Sequence, residues 1–338
     1  MKQAVMIGPG TVETREVEKP VLRPGEALVR IKRVGICGSD VHVSHGALPF
    51  VQYPIVQGHE ACGDVVETCE CENIRVRDKA VIIPASVCGE CNACTSGRTN
   101  LCEKLQIIGV HIDGLCSQYV RVPEEVIVRI PEHISYDIGA MIEPLAVAVH
   151  AVRQAGEVKD KSVLVMGAGM IGNLTAQVAK ALGAKVMIVG RTQYRLDFAK
   201  QFGIDYSINE ISEDVSAAVS KAFGRGADIC IECIGVAKSV NDCFAYSKKG
   251  GTVVIVGIFG ERQLIDVFSL QDKELVVRGA MMYVRRDFEE SVALIEQGKL
   301  NLEPLISAHF GLESFDTAYQ YISNRNNPVM KVMIDIGE

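Results

Sequence analysis

Four cysteines, Cys88, Cys91, Cys94 and Cys102, stand in the run CGECNACTSGRTNLC, separated by two, two and seven residues. Thiolates so close in sequence can converge on one tetrahedral metal ion, and soft sulfur donors in that geometry suit zinc. A closed four-sulfur site leaves no position for a reactant, so its role would be structural. Disulfides and an iron–sulfur cluster are the rival uses of such cysteines, but nothing else in the chain suggests electron transfer. A second donor set is more widely spread. Cys37 precedes Gly38-Ser39-Asp40, and His59-Glu60 sits in a glycine-flanked turn. A cysteine, a histidine and a carboxylate with one open position make the ligand set of a catalytic zinc. Asp40 could orient the His59 imidazole or simply cap its own turn.

A third motif, GAGMIG at 167–172, follows the apolar run KSVLVM and opens a helical pattern. That context gives the motif its meaning as a dinucleotide site. Gly167 permits the tight turn, Gly169 lets backbone approach a pyrophosphate, and Gly172 lets helix and strand pack closely. The helix start at Met170 and Ile171 then offers free N–H groups to the phosphates. An NAD site expects an acid about 20 residues further on, and Gly190 stands there instead. Arg191 follows, with Arg195 nearby. A missing carboxylate and an added guanidinium favour NADP(H), because a guanidinium can bind a 2′-phosphate bidentately. NAD(H) stays possible if Arg191 only stacks on the adenine and Arg195 is a solvated helix residue.

The elements that must position these groups fall into two patterns. Residues 1–150 read as short strands broken by glycine and proline, among them EALVRIKRVGIC, GDVVETCE, DKAVIIP and SQYVRVP. From 151 to 289 strands alternate with helices, which makes an α/β doubly wound parallel sheet with helices on both faces. FEESVALIEQGKL is a further helix, and the tail 290–338 is expected to return to the first domain, its end reading as a lone terminal strand.

Composition bounds the partners. A chain of 338 residues suggests two domains, since single cores seldom grow past roughly 250–300 residues. A net charge of −7 without basic stripes argues against nucleic acid. The N-terminal residues contain no long apolar run, so neither a signal peptide nor a membrane span is expected. Twelve cysteines without an export signal imply a reducing cytoplasm. Those outside the two donor sets read as small buried hydrophobes or incidental thiols.

Taken together, VGICGSDVH, GHE, the four-cysteine lobe, IGVHIDG, MIEPLAVAVHA, GAGMIG and VVIVGIFG resemble the zinc-containing medium-chain alcohol and polyol dehydrogenases. The resemblance covers almost the whole chain and lies nearest the sorbitol, butanediol and threonine dehydrogenase branch. It implies a GroES-like β-rich catalytic domain beside a Rossmann domain, two zinc ions per chain, and dimers or tetramers. Cys37 and His59 match zinc ligands of that family, Glu60 matches a carboxylate that binds directly in some states, and Glu143 one that binds zinc directly or through water. Ser39 and His42 resemble a proton relay, although His42 could be a plain solvated histidine. The implied reaction moves a hydride between a secondary alcohol (polyol, diol or sugar acid) and NAD(P). Ser39 would take the hydroxyl proton and pass it toward the cofactor ribose and His42. A zinc-free quinone or enone reductase and a non-catalytic NADPH-binding protein are the alternatives. Cys37, His59 and the cysteine lobe argue against the first, and intact relay residues against the second. Two departures fall outside the ligands: Arg77 replaces a usual glycine, and Leu115 a common one, in what read as surface loops. Met282 stands where sorbitol dehydrogenases tend to carry arginine. Tyr283 fits either a pocket or a core, and the loops 42–57 and 280–290 are expected to shape the substrate pocket.

Overall fold

The computed structural model describes residues 1–48 and 51–337. They divide into two compact units, one of Met1–Glu143, Val284–Val292 and Leu302–Glu338, the other of Pro144–Tyr283 and Ala293–Asn301. Pro49 and Phe50, part of the 42–57 segment expected to shape the pocket, lie outside the described residues.

In chain order the strands of the first unit begin with β1 (Lys2–Gly8), β2 (Thr11–Glu16), β3 (Glu26–Ile36), β4 (Ile55–Val56) and β5 (Glu60–Cys69). They continue with β6 (Lys79–Ile82), β7 (Ala85–Ser86), β8 (Gln106–Ile107), β9 (Tyr119–Pro123) and β10 (Ile127–Arg129). The second unit carries β11 (Ser162–Met166), β12 (Lys185–Gly190), β13 (Tyr206–Asn209), β14 (Ala227–Glu232), β15 (Ser247–Ile255) and β16 (Val276–Gly279). The chain then returns to the first unit with β17 (Ile306–Gly311) and β18 (Lys331–Asp335).

Among the described residues, the first unit holds a three-stranded sheet in the order β2-β1-β4 and a seven-stranded sheet. The larger one runs β10-β6-β5-β3-β18-β17, with β9 also paired to β3. The long strand β3 is its spine, buried at Ala27, Leu28, Val29, Ile31, Val34 and Ile36. It pairs antiparallel with β5 through two irregularities in register, which let the two long strands bend around the core. At the crossing, a Cβ on Gly63 would lie 2.1 Å from the Arg30 carbonyl oxygen, so only glycine fits. The terminal strand expected at the end of the tail is present as β18, but it is not alone. The tail supplies two parallel strands, and β18 inserts beside β3 in the interior of the sheet. Met333 and Ile334 are fully buried there.

The second unit is a parallel sheet in the order β13-β12-β11-β14-β15-β16, the doubly wound arrangement whose order reverses beside its first strand. Helices Met170–Ala181 and Gln193–Gln201 follow β11 and β12. Each stops where Gly183 and Gly203 take positive φ just past the cap, a conformation glycine adopts without a Cβ penalty. At the opposite end of the sheet, Asp228 joins β14 to β11. Its carboxylate accepts from the Ser162 N–H at 2.8 Å and the Ser162 hydroxyl at 2.6 Å, and pairs with Lys248.

Burial opposes the Asp228 charge, yet Lys248 and Ser162 hold its pKa down to about 2. The folded value lies below the unfolded one, so the stabilisation is complete above about pH 4 and is lost as pH falls through 2. Asp228→Asn should cost about 1.5–3 kcal/mol at neutral pH, the range for hydrogen bonds to a charged group. Thermal unfolding midpoints of the variant and wild type should converge as the medium is acidified; a gap that stays constant would contradict this.

Candidate functional site

The four-cysteine lobe spans the segment between β7 and β8, which pair antiparallel with each other. All four sulfurs lie within 4.8 Å of one another. Cys88 Sγ is 3.5 Å from Cys102 Sγ and 4.0 Å from Cys94 Sγ. Sulfurs held at 2.3 Å around a tetrahedral zinc would be about 3.8 Å apart, whereas a disulfide needs about 2.0 Å. The lobe therefore has metal spacing and not disulfide spacing. Backbone N–H groups of Cys88, Cys91 and Lys104 point at the sulfurs from 3.3 to 3.4 Å. Such donors, from Cys94 and Glu103 among others, lower the Cys91 thiol to about 6, while burial pushes Cys94 up to about 12.

The second donor set is built by strand pairing. In the β3–β5 register Gly35 faces Glu60, which brings the end of β3 to the start of β5. Cys37 caps helix Gly38–Ser44 immediately after β3, and His59 immediately precedes β5. The ligand atoms of Cys37, His59 and Glu60 lie within 4.8 Å of one another. Asp40 is 1% exposed and serves both uses weighed for it. One oxygen accepts from the Cys37 N–H at 2.8 Å, closing the cap, and the other faces His59 Nδ1 at 3.5 Å. Burial works against a charged His59 ring, but Asp40 and Cys37 outweigh it and raise its pKa well above the ordinary value. Asp40 Oδ1 and His59 Nδ1 are buried without a hydrogen-bond partner among the described residues. A buried imidazole steered by a carboxylate and facing a thiol and a second carboxylate is a donor set that fits zinc. Ser39 Oγ stands 3.5 Å from His59 Nε2. His42 is exposed in the last turn of the same helix.

Glu143 lies outside that cluster, buried in the first turn of helix Ile142–Gln154. What joins the two glutamates is Lys331, which the sequence reading missed. Its ammonium donates to both Glu60 oxygens at 2.6 Å and to the Ile36 carbonyl at 3.0 Å. Burial alone would lower its pKa, but Glu60, Cys37 and Glu143 hold it raised. A charged residue inside the apolar run VMKVMI was the available signal. Gly35 makes the niche: a Cβ there would lie 2.1 Å from Glu60 Oε2. Two further residues were not anticipated. Tyr319 donates to Gln57 Oε1 at 2.6 Å, and Gln57 donates to the Asp40 carbonyl at 3.2 Å, all of them buried. The C-terminal helix Phe315–Ser323 is thereby tied to the loop carrying Cys37.

In the second unit the glycine motif has the geometry its pattern implied. Gly167 sits at φ +108°. A Cβ on Gly172 would fall 1.7 Å from the Gly167 carbonyl oxygen. Above Gly169 the space is open, with only Arg195 Nη1 within 4 Å, a cradle that suits a pyrophosphate. Gly169 caps the helix that Met170 and Ile171 begin, so their N–H groups open that end. Arg195, half-buried, reaches over the motif and its Nε donates to the Tyr194 hydroxyl at 3.1 Å. Asn173, fully buried and unpredicted, donates to the carbonyls of Ala168, Gly169 and Arg195, stitching the motif to the next helix. Gly190 is packed: a Cβ there would come 2.6 Å from Ala168 Cβ. Arg191 is 73% exposed at its side chain and faces Glu210 at 3.8 Å.

The structure decides one reading left open, Tyr283, and revises another, Leu115. Tyr283, at 3% exposure, belongs to the core. Leu115, read as part of a surface loop, is 1% exposed and its N–H donates to the Gly58 carbonyl. Arg77 does sit in a turn, at φ +80°, where glycine would be unstrained.

Replacing Cys88 by serine should lower bound zinc from about two to about one per chain and cause a large drop in melting temperature, because structural zinc contributes folding energy directly. Metal analysis with a melting curve decides it; full zinc content and unchanged melting would be the contrary result.

Residues 23–132 match the alcohol dehydrogenase GroES-like domain family and residues 171–297 the zinc-binding dehydrogenase family. L-Galactonate-5-dehydrogenase of Escherichia coli (strain K12) is 34% identical over 323 residues, 95% of this chain and 94% of that one. Sorbitol dehydrogenase of Halalkalibacterium halodurans is 34% identical over 342 residues, 99% of each chain. A solved structure from Sinorhizobium meliloti 1021, described as a zinc-binding dehydrogenase bound to NADP, superposes with a TM-score of 0.91 at 33% identity. It covers 99% of this chain and 98% of that one. With both of its domains matched and relatives aligned along nearly its full length, this chain belongs to the zinc-binding alcohol dehydrogenase family, on the medium-chain polyol and sugar-acid branch.

Proposed function

We propose that this zinc-dependent dehydrogenase transfers a hydride between a secondary hydroxyl of a polyol, diol or sugar acid and NADP(H), with NAD(H) the weaker partner. The observation that carries the reading is the buried convergence of Cys37, His59 and Glu60 in a chain that also has the open glycine cradle. The zinc-free reductase reading has no use for that convergence. The matched relatives act on a sugar acid and a polyol, which supports the substrate class. Gly190 and Arg191 support the NADP(H) preference.

Cys37 and His59, with Glu60 or Glu143, would hold the catalytic zinc, and the lobe cysteines the structural one. When bound, zinc supplies Lewis acidity to the substrate hydroxyl and the nicotinamide supplies the hydride acceptor. Ser39 accepts the hydroxyl proton, and His42, exposed on the same helix, passes it on to solvent. Asp40 fixes the His59 ring. Lys331 balances the excess anionic charge of Cys37, Glu60 and Glu143, so that two glutamates can be buried near one divalent ion.

The last strand of the parallel sheet supports assembly with a second copy. β16 pairs only with β15 among the described residues, and Val276 and Val277 are exposed along it. Leu264, Val267 and Phe268 are more than half exposed in the segment before it. An apolar open edge invites strand addition, and we infer a homodimer or homotetramer built on it. Twelve cysteines, none in a disulfide among the described residues, support a reducing cytoplasmic setting. No described helix is long and apolar enough to cross a membrane.

A screen of polyols, aldonates and diols with both nicotinamides, read at the nicotinamide absorbance, tests substrate and cofactor together. Oxidation of none of them, or a tenfold preference for NAD(H), would refute the corresponding part. Cys37→Ser and His59→Ala should each abolish turnover and leave nucleotide binding intact, and Ser39→Ala should slow turnover by about 10²–10⁴-fold. A Cys37→Ser enzyme that kept its zinc and near wild-type rate would end the assignment. Phe268→Asp combined with Val276→Lys should convert the oligomer to a species of 36.7 kDa by light scattering; an unchanged mass would place the interface elsewhere.

A further inference from the structure

Three loops at the carboxyl ends of strands of the parallel sheet place charged groups around Gly190. Arg191 follows β12, Glu210 follows β13, and Lys238 opens helix Ala237–Tyr246 after β14. The Glu210 N–H donates to the Gly190 carbonyl at 2.9 Å, which fixes it beside the position where an NAD site carries its acid. One Glu210 oxygen faces Arg191 Nε at 3.8 Å, and the other faces Lys238 Nζ at 3.4 Å. The carboxylate is 16% exposed, whereas the two cations are 73% and 71% exposed. Two solvent-facing cations therefore converge on one inward anion.

We propose that Lys238 and Arg191 together bind the 2′-phosphate of NADP(H), and that Glu210 is the internal anion which holds the pair in place and yields them to that phosphate. The inference rests on the NADP(H) reading and adds a cation from a third strand that the glycine-arginine pattern alone does not contain. The chemistry is one of charge replacement. A phosphate monoester carries about −1.5 to −2 near neutral pH and offers three acceptor oxygens, against one charge and two oxygens for Glu210. It can engage a guanidinium and an ammonium at once, and so competes with a carboxylate that each cation meets only at 3.4–3.8 Å. Lys238 keeps a second partner, Asp242, one turn along its helix, which holds the ammonium near the corner when Glu210 is displaced.

The two roles predict changes of opposite sign. Dissociation constants of NADPH, NADH, adenosine 2′,5′-bisphosphate and 5′-AMP are measured by calorimetry on the zinc-loaded enzyme. Lys238→Met should weaken NADPH and the bisphosphate by about tenfold, with NADH and 5′-AMP unchanged. Glu210→Gln, nearly isosteric, should tighten NADPH and the bisphosphate by several-fold, and both differences should shrink as salt is raised. Lys238→Met with unaltered NADPH affinity, or with NADPH and NADH weakened equally, overturns the proposal. So does Glu210→Gln that weakens NADH, because the carboxylate would then be bonding the ribose hydroxyls. Arg191→Ala separates the two layers. If wild type favours NADH and Arg191→Ala changes nothing, the cofactor reading itself has failed. If Arg191→Ala weakens NADPH selectively while Lys238→Met does not, only the present inference is lost.

Discussion

The pairing of β3 with β5 is the constraint on which the catalytic half of the molecule depends. Because Gly35 lies opposite Glu60, the residues just beyond those two strand ends meet, and Cys37 and His59 become neighbours although 22 positions apart in the chain. A slip of one residue would turn Glu60 to the other face of the sheet and take it away from Lys331. The bare Cα of Gly35 is part of the same constraint, since any side chain there would occupy the space of the Glu60 carboxylate. β18 then lies against β3 in register, with Val332 opposite Ile36, and so delivers Lys331 to the same spot.

That arrangement shows how a site of several anions is kept inside a protein. Glu60 is fully buried and Glu143 nearly so, and charges so placed are expensive unless paired. Lys331 answers part of the charge through direct hydrogen bonds to Glu60, and the zinc proposed for this site would answer more of it. Around it, Asp40 steers His59, and Gln57 and Tyr319 brace Asp40 from the C-terminal helix, so the last fifth of the chain serves a site whose donors all lie in the first half.

The nucleotide half depends on close backbone approach. Gly172 sits against the Gly167 carbonyl, and Gly190 against Ala168, so the motif and the end of β12 pack as one surface. Asn173 locks that surface to the helix bearing Arg195. The packing of Gly190 gives the missing acid a second physical cause: a side chain there would have to displace Ala168 before it reached a ribose.

Much of this was legible in sequence because it is local. Cysteines two residues apart, a glycine motif after an apolar strand, and strand–helix alternation each lie within a short window where spacing alone dictates geometry. Cys37 and His59 could be paired only by recognising both glycine-rich settings together, since nothing local links them. The charge inside the VMKVMI run marked Lys331 as unusual, but its partner was not legible. Lys331 stands in a short tail strand whose partner, β3, is nearly 300 residues earlier, and only the tertiary register reveals that its ammonium meets Glu60. The same holds for Tyr319 with Gln57, and for Glu210 with Lys238. Residue types and short spacings determined which chemistry the chain can do; long-range strand pairing decided which charges face each other, because a buried ion pair is specified by where two distant backbones come to lie and not by either segment alone.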